Sequence, residues 1–234
     1  MSSAYYSCSN LTGSTVCGEK VTNMSSTYSY CYNLTGNPVC GNKITDMYST
    51  YANCYDLTGN PICGENVTEF VYTYQNCHKL TGSPVCGNSV TRMISTYAGC
   101  RNLTGSPVCG NNVVDMQGAY SNCSNLTGSP VCGENVTNMI GTYYNCQNLT
   151  GTPVCGNNVI NIATSSWSYN GGAYYNCHNL FGPPACGPNV TNMYAAYRNC
   201  TNLYGNAYIM SLNVADMRLC FDGRSASMPL HLYV

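Results

Sequence analysis

Aligned on a recurring Leu-Thr-Gly, apolar residues return at fixed places every 23 residues along nearly the whole chain. The unit reads Leu-Thr-Gly-x-Pro-Val-Cys-Gly-x-Asn-Val-Thr-x-Met-x-x-Thr-Tyr-x-Asn-Cys-x-x, with positions 1 to 23 counted from its Leu. Apolar columns stand at positions 1, 6, 11, 14, 18 and 21. Position 1 runs from Leu11 through Leu34 and Leu57 to Leu203, and position 18 from Tyr5 through Tyr28 and Tyr51 to Tyr197. Positions 11, 14, 18 and 21 are three to four apart, which predicts one face of a short helix or of helical turns. Positions 4 to 7 carry Val, Ile or Ala at position 6 and are followed by Gly, which predicts a brief strand. The Pro at position 5 has no N–H to give to a ladder, so the parallel sheet is expected to be thin.

A period of 23 falls in the range of leucine-rich repeats. The expected fold is a right-handed solenoid of about nine rungs, each a short strand plus helical turns. One rung cannot bury its own apolar face, whereas stacked rungs share a core of Leu, Val, Met, Tyr and Cys columns. The tyrosine hydroxyl is expected at the surface or on a backbone partner. The repeats occupy 1–200, with eight extra residues inserted at 163–170. Residues 201–234 hold a degenerate terminal repeat that keeps Val214 and Met217, and "MPLHLYV" predicts a closing strand. Met1 falls at position 14, so the chain starts half-way through a rung, and its open end is expected either to continue in a longer protein or to dock on something.

Charge narrows the function classes. Only 7% of residues are charged and the net charge is −1, which leaves no basic stripe for nucleic acid and no cationic helix for an anionic membrane. No apolar run is long enough for a transmembrane helix, and "MSSAYYSCSN" lacks the pattern of a signal peptide. A surface of Asn, Thr, Ser, Tyr and Gly suits hydrogen bonding to neutral polar partners such as glycans, and equally a plain solvated face.

The cysteines form two columns. Position 21 holds Cys8, Cys31, Cys54, Cys77, Cys100, Cys123, Cys146, Cys177 and Cys200; position 7 holds Cys17, Cys40, Cys63, Cys86, Cys109, Cys132, Cys155 and Cys186; Cys220 is left over. Either each position-21 thiol bonds the one nine residues on, with Cys200 joined to Cys220, or both columns are reduced ladders of small buried hydrophobes. Strand alternation complicates the first option, because an inward position 6 would turn position 7 outward. There is no CxxC; His78 and His178 merely follow a Cys and His231 is isolated, so neither metal nor cofactor is expected.

The run "VTNMSSTYSYCYNLTG" resembles the BspA-type leucine-rich repeat in Val21, Met24, Tyr28, Cys31 and Leu34. The same set recurs along most of the chain, although that family has Phe where this chain has Tyr and lacks the Pro-Val-Cys-Gly segment. Its members are mostly bacterial cell-surface adhesins, protozoan surface proteins and phage tail components. The resemblance implies binding rather than catalysis, and an extracellular, cell-surface or virion location.

The acidic residues fall mostly at positions 9 and 13, as Glu19, Asp46, Glu65, Glu69, Asp115 and Glu134, and none is forced against a His, so no enzyme is expected. The expectation is a binding or adhesion module for a protein or glycan partner. The alternative is a self-assembling part of a fibre or virion, a homo-oligomer joined through open rung ends. Sequons such as Asn10-Leu-Thr, Asn102-Leu-Thr and Asn135-Val-Thr are expected to be Asn ladders bonding turn backbone rather than glycan acceptors. The insertion "ATSSWSYN" carries Trp167, the single Trp, and Tyr169, the expected non-repetitive contact site unless Trp167 folds back as a plug.

Overall fold

In the computed structural model, which describes residues 1–164, 171–223 and 230–233, each unit lies on the next. The residues at position 13 pair in parallel from unit to unit: Asn23 with Asp46, then Glu69, Arg92, Asp115, Asn138, Asn161, Asn192 and Asp216. The step from Asn161 to Asn192 spans the insertion without losing the ladder.

The expected helical turns are absent: among the described residues there is no helix. Positions 14 to 21 form consecutive tight turns. Thr27 N–H bonds Met24 O at 3.0 Å and Cys31 N–H bonds Tyr28 O at 3.1 Å, each three residues back. The alternate N–H groups leave the unit altogether. Met24, Ser26, Tyr28 and Tyr30 donate to Asp46, Tyr48, Thr50 and Ala52 of the next unit, at 2.8–2.9 Å. A helix would send these N–H groups four residues back within the segment.

The backbone also forbids one, because positions 16 and 20 have positive φ, as at Ser26 (52°) and Asn53 (62°). Positive φ at the third residue is the mark of a type II turn. Side chains other than Gly, Asn or Asp pay roughly 1–2 kcal/mol there. Asn, Ser and Gly therefore dominate the two positions, and Tyr30 (64°), Tyr72 (54°) and Leu219 (55°) are the bulky exceptions. Turns of three residues present apolar groups at nearly the same spacing as a helix, which is why the sequence pattern fits both.

The core is built from columns, and Thr or Ala at position 17 is buried along with the apolar ones. Leu at 1, Val or Ile at 11, Met at 14, Tyr at 18 and Cys at 21 are buried in the inner units, with Phe70 and Ile162 standing in for Met. The tyrosine rings stack; Tyr120 and Tyr143 have centroids 5.6 Å apart and planes 3° from parallel. Each hydroxyl crosses the core to grip the backbone at position 6. Tyr97 Oη donates to Val85 O at 2.7 Å and accepts from Val85 N–H at 3.0 Å. This pair of hydrogen bonds to backbone is the physical reason for Tyr rather than Phe. At the far end Phe221 continues the stack, 5.8 Å from Tyr197, so the terminal repeat runs on through Gly223, with one extra residue after Leu203. Cys220 accordingly lies where other units carry Thr or Ala, not in either cysteine column.

Position 6 does not join the core: Val39, Ile62, Val85 and Val108 are half-buried, and the Pro at position 5 points inward instead. With Pro lacking its N–H and position 6 bonded to the tyrosine hydroxyl, the expected strand pairs in full only where Pro is missing. In the terminal unit Ala207 takes that place. There β1 (Ala185–Cys186), β2 (Gly205–Ile209) and β3 (Leu230–Tyr233) form a parallel sheet in that order. β3 lies within the stretch expected to be a closing strand, pairing Leu230 with Gly205 and Tyr233 with Tyr208.

Candidate binding surface

The outward positions are also columns. Asn at position 10 reaches back one unit: Asn66 Nδ2 donates to Asn42 O at 3.0 Å, Asn135 to Asn111 O at 2.9 Å and Asn158 to Glu134 O at 2.8 Å. Position 23 does the same, with Asn33 on Ser9 O at 2.9 Å. At position 20 the amides bond one another, Asn76 to Asn53 and Asn145 to Asn122, both at 2.8 Å. Thr at position 12 bonds the Thr backbone below it, as Thr68 Oγ1 does to Thr45 O at 3.2 Å. In the sequons of Asn33, Asn66 and Asn135 the Asn thus stitches units together while the Leu or Val after it is buried; of the three sequons named from the sequence this holds for Asn135.

All eighteen cysteines are free thiols in this structure. The position-21 thiols from Cys31 onward sit in the core and donate to the tyrosine carbonyl of the preceding unit, as Cys100 does to Tyr74 O and Cys123 to Tyr97 O, both at 3.0 Å. The position-7 thiols lie half-buried at the core's edge, under the Gly at position 8 of the next unit. A Cβ on Gly64 would stand 2.9 Å from Cys40 Sγ, so the Cys-Gly pair is a packing unit. Burial pushes the thiols up: Cys86 to about 11, and Cys63, Cys109 and Cys155 to about 12. In the deeper column Cys77 and Cys123 are raised further by burial, and then by their neighbouring thiols. At neutral pH these six thiols are protonated and poorly nucleophilic.

Several acids of position 13 hold backbone. Asp46, Asp115 and Asp216 accept the N–H two residues on, at 2.9–3.0 Å, which fixes the entry to the turns. Among the ion pairs that join equal positions of adjacent units are Lys79 to Asp56 at 2.8 Å and Arg92 to Glu69 at 2.9 Å. Both are exposed, and such pairs contribute about 0–1 kcal/mol. Among the described residues no three of His, Cys, Asp and Glu come close enough to hold a metal ion.

What stands apart from this regular surface is tyrosine. Tyr32, Tyr55 and His78 at position 22 stack in a ladder, with centroids 5.0 and 4.8 Å apart. Burial, and then the charge of Arg101, lowers the His78 pKa, so its ring is neutral at pH 7. Tyr6 and Tyr30 meet edge to face at 5.6 Å, as do Tyr48 and Tyr72 at 5.7 Å. Towards the other end Tyr144 stacks on Tyr175 at 5.0 Å, and Arg198, paired with Asp222 at 2.9 Å, covers the Tyr175 ring. The repeat pattern does not single these residues out, because they stand off the tyrosine column. Tyrosines off that column fall in two groups, six in residues 6–72 and seven in residues 144–233 with none between, and that grouping is legible in the sequence. Trp167 and Tyr169 lie outside the described residues.

No protein-family model matches the chain, and neither a curated protein nor a solved structure does.

Proposed function

We propose that the chain is a non-enzymatic binding or adhesion module: a right-handed, leucine-rich-repeat-like solenoid of about nine rungs related to BspA-type surface proteins, displayed on a cell surface or a virion. The observation that carries this reading is the exposed tyrosine set on a nearly chargeless scaffold. Tyr6 is 51% exposed and Tyr48 40% exposed, in an array whose core is already filled by its own tyrosine column. Exposed aromatic groups that packing does not require favour an interface. The recurrence of each outward column from rung to rung suits a long or repetitive ligand through multivalency. Such a partner is a glycan or a protein surface rather than a nucleic acid, for want of positive charge. Asp46 and Asp115 cap turns, Asp56 and Glu69 are held in ion pairs and the buried thiols pack, which leaves no evident acid–base pair for catalysis.

The test is attachment of the fluorescently labelled chain to bacterial and eukaryotic cells, with and without free glycans as competitors. Saturable attachment supports the module. Its absence, together with concentration-dependent assembly in sedimentation experiments, would favour the second reading, a self-assembling part of a fibre or virion. That reading draws on the unit-to-unit hydrogen bonding, which recurs along most of the stack.

A further inference from the structure

Between the turn positions 15 to 16 and 19 to 20 of the first units lies a groove of about 290 Å³. Its walls are tyrosines: Tyr6 and Tyr30 on one flank, Tyr48 and Tyr72 on the other. Its floor is small, since Ser29 and Ala52 are 2% and 3% exposed, and Ser26, Ser49, Asn53 and Gln75 complete the lining. In each tyrosine pair one ring stands across the other, 70° for Tyr6 and Tyr30 and 86° for Tyr48 and Tyr72, so the pair cannot lie flat on the surface and the walls are raised.

We propose that this groove binds a segment of neutral saccharide chain; the proposal rests on the reading of the chain as a binding module and names its ligand class. Three observations select that class. No charged side chain lines the groove, and Arg92, which lies near Tyr48, is held by Glu69 at 2.9 Å, so nothing in it selects a phosphate, sulfate or carboxylate. Hydroxyl and amide groups alternate with ring surface, which suits a ligand whose C–H faces meet aromatic rings and whose hydroxyls need donors and acceptors, rather than a lipid tail. The volume is at the low end of the roughly 300–1,000 Å³ of small-molecule sites, fit for a short stretch of a longer chain. Tyr30 also meets Tyr32 edge to face at 6.3 Å, which joins the groove to the Tyr32, Tyr55 and His78 ladder and gives the chain a way onward.

The backbone offers an independent sign. Tyr30 and Tyr72 occupy left-handed positions where neighbouring units carry Asn53 and Asn76, or Ser49 and Ser95. Folding alone favours the small polar residue at both places; Leu219 (55°) is equally bulky in the terminal unit, so what points to function is that both strained tyrosines wall the same groove.

The experiment is a printed array of neutral, sialylated and sulfated oligosaccharides, probed with the intact chain, with the double variant Tyr30→Asn and Tyr72→Ser, and with Tyr6→Ala. The wild type is expected to bind neutral oligosaccharides. Both variants are expected to bind them about tenfold more weakly or worse, the usual consequence of removing interface aromatics. The double variant should melt no lower than the wild type, because Asn and Ser suit the left-handed backbone, and Tyr6→Ala should melt unchanged because that ring is half-exposed. Wild-type strength in both variants would overturn the proposal, as would binding confined to charged glycans. Attachment to cells without binding to any glycan would overturn the saccharide site and leave the adhesion module standing; failure of both would remove both.

Discussion

Replacing Tyr97 by Phe removes one oxygen and tests how the core is tied to its outer segment. That hydroxyl donates to Val85 O at 2.7 Å and accepts from Val85 N–H at 3.0 Å, so both polar groups of one peptide residue lose their partner at once. A net hydrogen bond contributes about 0.5–1.5 kcal/mol, and a buried group left unpaired costs about 1–3 kcal/mol. Val85 is half-buried, so water reaches part of the vacated site and the loss settles at about 2 kcal/mol. At about 2–4 °C per kcal/mol for a chain of this size, the melting temperature should fall by about 4–8 °C. The ring itself stays in the stack, 5.6 Å from Tyr74 and Tyr120, so packing is unchanged. Tyr55→Phe is the control, because that hydroxyl belongs to an exposed ring and its loss should stay within about 0.5 kcal/mol. Thermal melts of the three proteins by circular dichroism and calorimetry make the comparison. Equal melting of Tyr97→Phe and wild type would refute the hydroxyl bracket.

Two further outcomes follow from the packing. Gly64→Ala should destabilise the fold by about 1–3 kcal/mol, and Cys40→Ala in the same chain should recover part of it, because the new Cβ meets Cys40 Sγ; additive losses in denaturant titrations would contradict the contact. Stability should fall as pH rises above about 9. Burial raises the core thiols and phenols such as Cys77 and Tyr97 above their unfolded values, so the unfolded chain releases protons first; a melting temperature constant to pH 11 would contradict their burial.

The sequence carried the columns because identical side chains stack on identical ones. Leu103, Val113, Met116, Tyr120 and Cys123 all sit in the core, each in register with its neighbours. It misled where two backbones satisfy one spacing. Intervals of three and four residues suit a helix and also a run of three-residue turns, and only the small polar residues at positions 16 and 20, Ser95 and Asn122 among them, argue for positive φ. Val85 was assigned inward by its apolarity, but Pro84 takes the inward place and Tyr97 claims the Val85 backbone. Phe221 escaped notice because one added residue in the last unit shifts it off the period. The groove was hidden for a different reason: Tyr6, Tyr30, Tyr48 and Tyr72 belong to no column, and only turns that bring positions 15, 16, 19 and 20 together make them neighbours.

The central claim is that units are joined by columns of reduced cysteine and tyrosine rather than by disulfides. It is tested most directly by alkylating the purified, unreduced protein in denaturant and counting labels by mass spectrometry. The account predicts eighteen labelled thiols. Under native conditions it predicts that exposed Cys8 is labelled first and that the core thiols, Cys77 and Cys177 among them, are labelled last. Unlabelled pairs nine residues apart, Cys31 with Cys40 and Cys100 with Cys109, would contradict it, because those thiols could not then pack as two separate ladders.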